Sequence, residues 1–143
     1  MLLVKHLLAR KGADIWSIDA AEPVLSAVRM MAEHHVGALP VLREGRLAGI
    51  VSERDYARKV VLLGRASADT PVSQIMSAPV VTVGPEASVR RCMQLMTEKR
   101  FRHLPVVDAA GTMVGVISIG DLVSAVIEEQ QETIEQLEKF IAG

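Results

Sequence analysis

Cysteine is nearly absent: Cys92 stands alone among 143 residues. The chain can therefore neither close an internal disulfide nor build a thiolate zinc cluster by itself. The apolar neighbours of Cys92 suit a small buried hydrophobe on a helix face. Aromatic residues are almost as scarce, being limited to Trp16, Tyr56, Phe101 and Phe140. Any core must be assembled from Val, Ile, Leu, Met and Ala, and stacking platforms for nucleic-acid bases lack material. An excess of positive charge is missing too. Sixteen Lys and Arg face seventeen Asp and Glu, a net charge of −1, which gives no global field for a polyanion, so no nucleic-acid partner is expected. Long apolar runs are lacking as well. The longest are of the length of Val60-Val61-Leu62-Leu63, against the roughly 20 residues that cross a bilayer, so no membrane partner is expected. Met1 to Val4 is closed at once by Lys5 and His6. That is too short for a secretory signal and points to the cytoplasm.

What is present is a repeat. Residues 17–42 align with 82–107 at an offset of 65, and 47–55 align with 113–121 at an offset of 66. Over these 35 positions nine residues are identical: Val24/Val89, Met31/Met96, Glu33/Glu98, Leu39/Leu104, Pro40/Pro105, Val41/Val106, Gly49/Gly115, Ser52/Ser118 and Asp55/Asp121. Average composition would give roughly two, so the chain reads as a tandem duplication.

Each copy has the same grammar. A β-prone segment, Trp16 to Ile18 or Val80 to Val83, ends in a turn. A helix follows, with Val24, Val28, Met31 and His35, or Val89, Met93 and Met96, on its apolar face. A hairpin comes next, pairing Leu39 to Leu42 with Leu47 to Ser52, or Leu104 to Val107 with Met113 to Ser118. A second helix opens at Ser52 or Ser118. The fold class expected is α/β (α+β): two β-α-β-β-α repeats packed as one pseudo-two-fold module, because halves of about 60 residues bury a marginal share of their surface alone. The expected boundaries are 4–64 for the first domain, 65–76 for a connecting segment, 77–127 for the second domain and 128–143 for a C-terminal helix extension. Val4 to Arg10 is the matching helix ahead of copy one, ended by Gly12. In the last helix Ile127, Ile134 and Ile141 recur seven apart, with Gln130 and Leu137 between them. This short heptad pattern fits a helix folded back on its own domain and a dimerising helix equally well.

The repeated motif is Gly-x-x-Ser-x-x-Asp, in Gly49 to Asp55 and Gly115 to Asp121. It sets a hydroxyl at a strand-to-helix junction, where free N–H groups and the helix dipole favour a phosphate. The aspartate one turn later can accept hydrogen bonds from a ribose diol. The same spacing is also a plain capping box, worth about 1 kcal/mol with no ligand at all. On the motif alone both readings stay open.

With its two in-phase copies, Leu-Pro-Val strands, paired signatures and the stretch Ile75 to Val83, the chain from about Val4 to Ile127 resembles a tandem cystathionine β-synthase (CBS) domain pair, a Bateman module. It is similar in particular to small stand-alone bacterial CBS-pair proteins with Ser-Glu-Arg-Asp and Arg-Phe-Arg-His-Leu-Pro-Val stretches. The resemblance implies a regulatory, energy-sensing homodimer that binds AMP, ADP, ATP, NAD(H) or S-adenosylmethionine in clefts between the copies and signals to an effector protein. It implies that Asp55 and Asp121 hold ribose hydroxyls, that Ser52 and Ser118 lie near phosphate, and that Arg102 and His103 neutralise it. Backbone around Ser17-Ile18 and Val81-Thr82, with Ile50 and Val116, would frame adenine. If the clefts are crossed, as in the family, Ser52, Arg54, Asp55, Arg102 and His103 share one phosphate-competent site. The other, built on Asp121 with Gly37 and Ala38, would lack basic partners.

Among the remaining candidates, His34-His35 reads as a solvated helix end rather than a metal site. Trp16 is expected as a buried wall residue. No G-x-S-x-G, H-E-x-x-H or P-loop pattern is present, so neither catalysis, a catalytic cofactor nor a metal is expected. The alternative function is a ligand-free oligomerisation scaffold that uses CBS-pair packing and the C-terminal helix.

Overall fold

A computed structural model describes residues 1–12 and 14–142; Ala13, in the expected first domain, and Gly143, the last residue of the expected extension, lie outside them. The order is α1 (Val4–Lys11), β1 (Ile18–Asp19), α2 (Val24–His34), β2 (Ala38–Arg43), β3 (Arg46–Ser52), α3 (Glu53–Tyr56), α4 (Val89–Lys99), β4 (His103–Val107), β5 (Met113–Ser118) and α5 (Ile119–Ala142). A π-helical stretch, Ala57–Val61, continues α3, and a 3₁₀ turn covers Val72–Gln74. The chain divides into two compact units, one of Asp14–Val81 and one of Met1–Ala13 with Thr82–Gly143.

In the first unit β1 runs parallel to β2, and β2 pairs antiparallel with β3. The hairpin turns through Glu44 and Gly45, both at positive φ, the two-residue turn that suits strand twist. Pro23 caps α2 in an extended conformation, where its missing N–H costs nothing. The buried stripe of α2 is Val24, Ala27 and Met31. Val28, half-buried, packs against the same core as expected, and the series is corrected at His35, which is exposed and ends the helix in the left-handed region at φ 54°. Val24, Ala27 and Met31 form an aliphatic core with Leu39, Val41, Val51, Val60, Val72 and Ile75.

The second unit repeats the plan. β4 pairs with β5, while the β-prone stretch Val80 to Val83 narrows to a single parallel bridge, Val83 with Val106. Ser88 caps α4 by accepting from the Arg91 N–H at 3.0 Å. The buried stripe is Val89, Cys92 and Met96, and Arg100 ends the helix at φ 58°, as His35 does in the first unit. Burial pushes the Cys92 thiol pKa up, Arg91 opposing, which suits an inert packing residue. The longer loop is folded by Asp108, whose carboxylate accepts from the N–H groups of Ala110 and Thr112.

The helix that precedes the first copy in sequence packs into the second. Val4 N–H and Lys5 N–H donate to the carbonyls of Ala87 and Pro85, both at 2.9 Å. In the first unit Val72 N–H and Ser73 N–H donate to those of Glu22 and Ala20, at 2.8 and 2.9 Å. Val4, Leu7 and Leu8 therefore play the parts of Val72, Ile75 and Met76. Each strand pair completes its core with a segment brought from elsewhere in the chain, four of these six side chains being fully buried or nearly so.

Candidate ligand-binding site

Both signatures sit where a strand ends and a helix begins. At the first, Ser52 has extended backbone, and its hydroxyl accepts from the Asp55 N–H at 3.2 Å. Asp55 Oδ2 accepts from the Ser52 N–H at 2.9 Å and from its hydroxyl at 3.0 Å. At the second, the Ser118 hydroxyl accepts from the Asp121 N–H at 3.2 Å, and Asp121 Oδ2 from the Ser118 N–H at 2.8 Å. The capping box is thus formed in both units, and the aspartates still stand at partly open positions.

Each aspartate also carries a lysine, from a different element in each unit. Lys59, one turn along the same helix, lies 3.1 Å from Asp55 Oδ1 and donates to the Ile75 carbonyl at 2.9 Å. Lys11, at the end of α1, donates to Asp121 Oδ2 at 2.8 Å and to the Val116 carbonyl at 2.7 Å. The expectation that Asp121 stands without basic partners is therefore corrected. Lys59 was legible at the i,i+4 spacing. Lys11 was not, because 110 residues separate it from Asp121 and only the tertiary exchange of α1 brings them together.

The residues ahead of the Leu-Pro-Val strands lie beside the signature of their own copy. Glu53 N–H donates to the Gly37 carbonyl at 3.0 Å, and Ile119 N–H to the Arg102 carbonyl at 2.9 Å. Ala38 is in register with Ser52, and His103 with Ser118. The second unit thus brings Arg102, His103, Val116, Ser118, Asp121 and Lys11 to one end of the β4–β5 hairpin. In the first unit Ile50 is half-buried and exchanges backbone hydrogen bonds with Ser77. Ile18 is buried in β1, Ser17 and Arg54 are half-exposed, and Val81 is exposed, with Thr82 partly covered. Trp16 corrects the expectation of a buried wall: it is 39% exposed, and its ring stacks on His34 with centroids 3.6 Å apart.

Charge in the second unit follows from these contacts. Burial pushes the His103 imidazole pKa down from its ordinary value, and Lys11 and Arg102 push the same way against Asp121. Arg102 supplies the fixed cation there. For Asp121 burial pushes up, but the Lys11 ammonium and the Ser118 donors outweigh it and hold the carboxyl below its ordinary value. A carboxylate depressed in the folded state adds stability above its unfolded pKa, and that stability is lost as pH falls through the folded value. Lys11→Met is expected to cost up to about 1 kcal/mol at pH 7, the pair being partly solvated. The gap to the native chain should close below about pH 4. Urea unfolding at neutral and acid pH measures it, and an unchanged gap would refute the pairing.

A duplicated β-α-β-β-α unit whose strand ends each present a capped serine and a shielded aspartate defines a tandem CBS-type module. The CBS domain family model matches residues 4–62 and 72–128, and the chain belongs to that family. It is 46% identical over 137 residues to the mitochondrial CBS domain-containing protein CBSX3 of Arabidopsis thaliana, covering 92% of this chain and 66% of that protein. A solved CBS-domain protein from Burkholderia ambifaria is 48% identical, with a TM-score of 0.85 and coverage of 91% of this chain and 96% of that one. The hexameric CBS-CP12 protein of bloom-forming cyanobacteria is 29% identical, with a TM-score of 0.77, over 86% of this chain and 70% of that one. Stand-alone CBS-pair proteins are, as a class, regulatory and ligand-binding rather than catalytic. No helix among the described residues is long and apolar enough to cross a membrane.

Proposed function

We propose that the chain is a regulatory sensor that binds an adenosine-containing ligand (AMP, ADP, ATP, NAD(H) or S-adenosylmethionine) through its two Gly-x-x-Ser-x-x-Asp signatures. Occupancy is passed on through self-association or to an effector protein. The observation that carries this reading is the duplication of one arrangement in both units: a strand-end serine at a helix start, an aspartate held one turn on by that serine, and a lysine beside it. A capping box needs neither the lysine nor the glycine three residues before the serine. The ribose diol would take the aspartate, and the lysine ammonium is at hand for phosphate. Self-association is part of the reading, supported by the hexameric state of the cyanobacterial relative. A cytoplasmic location is part of it too, although the Arabidopsis relative is named for the mitochondrion.

Unequal sites are expected. Arg54 has Gly120 as its counterpart, and Arg102-His103 have Gly37-Ala38, so the two copies cannot offer a nucleotide the same charge. Calorimetric titration with AMP should resolve one strong and one weak or silent site; two equal sites would overturn the assignment.

One observation favours the scaffold reading: the N–H groups of both serines and the Ser52 hydroxyl already donate to the aspartate of their own signature, as a plain capping box requires. Thermal melting separates the two. If AMP, ATP, NADH and S-adenosylmethionine all leave the melting temperature unmoved in the native chain, the scaffold reading stands.

A further inference from the structure

The last sixteen described residues of α5, Ile127 to Ala142, are all exposed. Helices in water owe most of their stability to packing of an apolar face, and isolated helices of up to about 12–15 residues are marginal even when rich in alanine. This one is not alanine-rich, and it carries Ile127, Ile134, Leu137, Phe140 and Ile141 open to solvent, Phe140 at 85% and Ile134 at 47%. All of these but Phe140 fall, together with Gln130, on one seam, 127, 130, 134, 137 and 141, at alternating spacings of three and four. Val123, also exposed, extends that seam toward the domain.

From this seam we infer that α5 pairs in parallel with α5 of a second copy of the chain, as a two-stranded coiled coil. This rests on the proposal that the chain self-associates and assigns the surface that does it. Three features select an identical partner. Isoleucine holds every a position (127, 134 and 141) and leucine the d position 137, the combination that favours two parallel strands. The one polar seam residue, Gln130, carries both a donor and an acceptor, so it is its own complement across a two-fold axis. Charge is placed to allow it. Glu128, Glu129, Glu132 and Glu135 occupy outer positions b, c, f and b, and Lys139 a further f. The flanking e and g positions hold Val126, Gln131, Thr133, Glu138 and Phe140. Like charges therefore stay off the seam except at Glu138. An anionic membrane is disfavoured by the same five glutamates against one lysine, since a membrane-lying helix carries basic residues on its polar face.

The test uses the full chain without nucleotide. Sedimentation velocity at micromolar concentration should give an assembly of two or more chains. Ile134→Glu with Leu137→Glu should remove the α5 contact and lower the mass, while Glu132→Lys on the outer face should leave it unchanged. These positions have no part in either core, so the thermal transition should persist. Gln130→Cys should cross-link to itself on mild oxidation at least tenfold more than Glu132→Cys, because d positions meet across a parallel seam; the native Cys92 is buried. A monomeric native chain overturns both self-association and the seam. An assembly whose mass ignores the double substitution, or a Gln130→Cys chain that does not cross-link, overturns the seam while leaving self-association standing.

Discussion

Asp55→Ala is expected to abolish the nucleotide-dependent rise in melting temperature. A ligand at about 100 times its dissociation constant adds about 2.7 kcal/mol, which for a chain of this size raises Tm by roughly 10 °C. Without the carboxylate the ribose diol loses its acceptor, and most of that rise should vanish. The substitution has a second effect that must be read separately. It leaves the Ser52 N–H and hydroxyl and the Lys59 ammonium without the partner they have at 2.9, 3.0 and 3.1 Å. It therefore lowers the ligand-free Tm by the equivalent of about 1–2 kcal/mol. Asp55→Asn keeps an oxygen for the serine N–H and so preserves more of the cap. Scanning both variants with and without AMP separates cap from ligand. An undiminished AMP shift in Asp55→Ala would remove this residue from the site.

The two signature glycines should respond differently to the same substitution. A Cβ on Gly49 would lie 2.7 Å from the Ser77 carbonyl oxygen and 2.8 Å from Met76 Sδ. That carbonyl is fixed in place, since Ile50 N–H donates to it at 3.1 Å and Ser77 N–H returns a bond to Ile50 at 2.8 Å. Gly49→Ala must displace backbone and is expected to cost about 2–3 kcal/mol. At Gly115 the obstacle is the Leu8 side chain, its Cδ2 at 2.5 Å, and a leucine terminus can change rotamer. Gly115→Ala should cost about 1 kcal/mol or less. Denaturant unfolding of the two variants decides it; equal losses would show that the environments are equivalent.

Much of the architecture was legible because it depends on local pattern. The Leu-Pro-Val strands, their hairpins and the helix starts at Ser52 and Ser118 follow from alternation and capping, which act over a few residues. The same is true of the Ser52/Asp55 and Ser118/Asp121 pairs. The apolar series holds on both helix faces, Val28 and Met93 packing against the edges of their cores while Ala27 and Cys92 fill the fully buried middle, and only His35 departs, because the helix ends there in the left-handed region. Trp16 departs from the burial that a large apolar ring suggests, because its ring stacks on His34 at the surface.

The sequence by itself determined the duplication, the β-α-β-β-α grammar and the two capped signatures, since each is set by residues close together along the chain. Only the tertiary structure decided what completes each unit. It placed Val4, Leu7 and Leu8 against the second copy and Val72, Ile75 and Met76 against the first. Through that exchange it put Lys11 on Asp121 and made Gly49 and Gly115 unlike. These pairings join residues tens to more than a hundred positions apart, and no local propensity encodes them; they arise because a strand pair of this size leaves an aliphatic face open, and the segment that best covers it comes from a distant part of the chain.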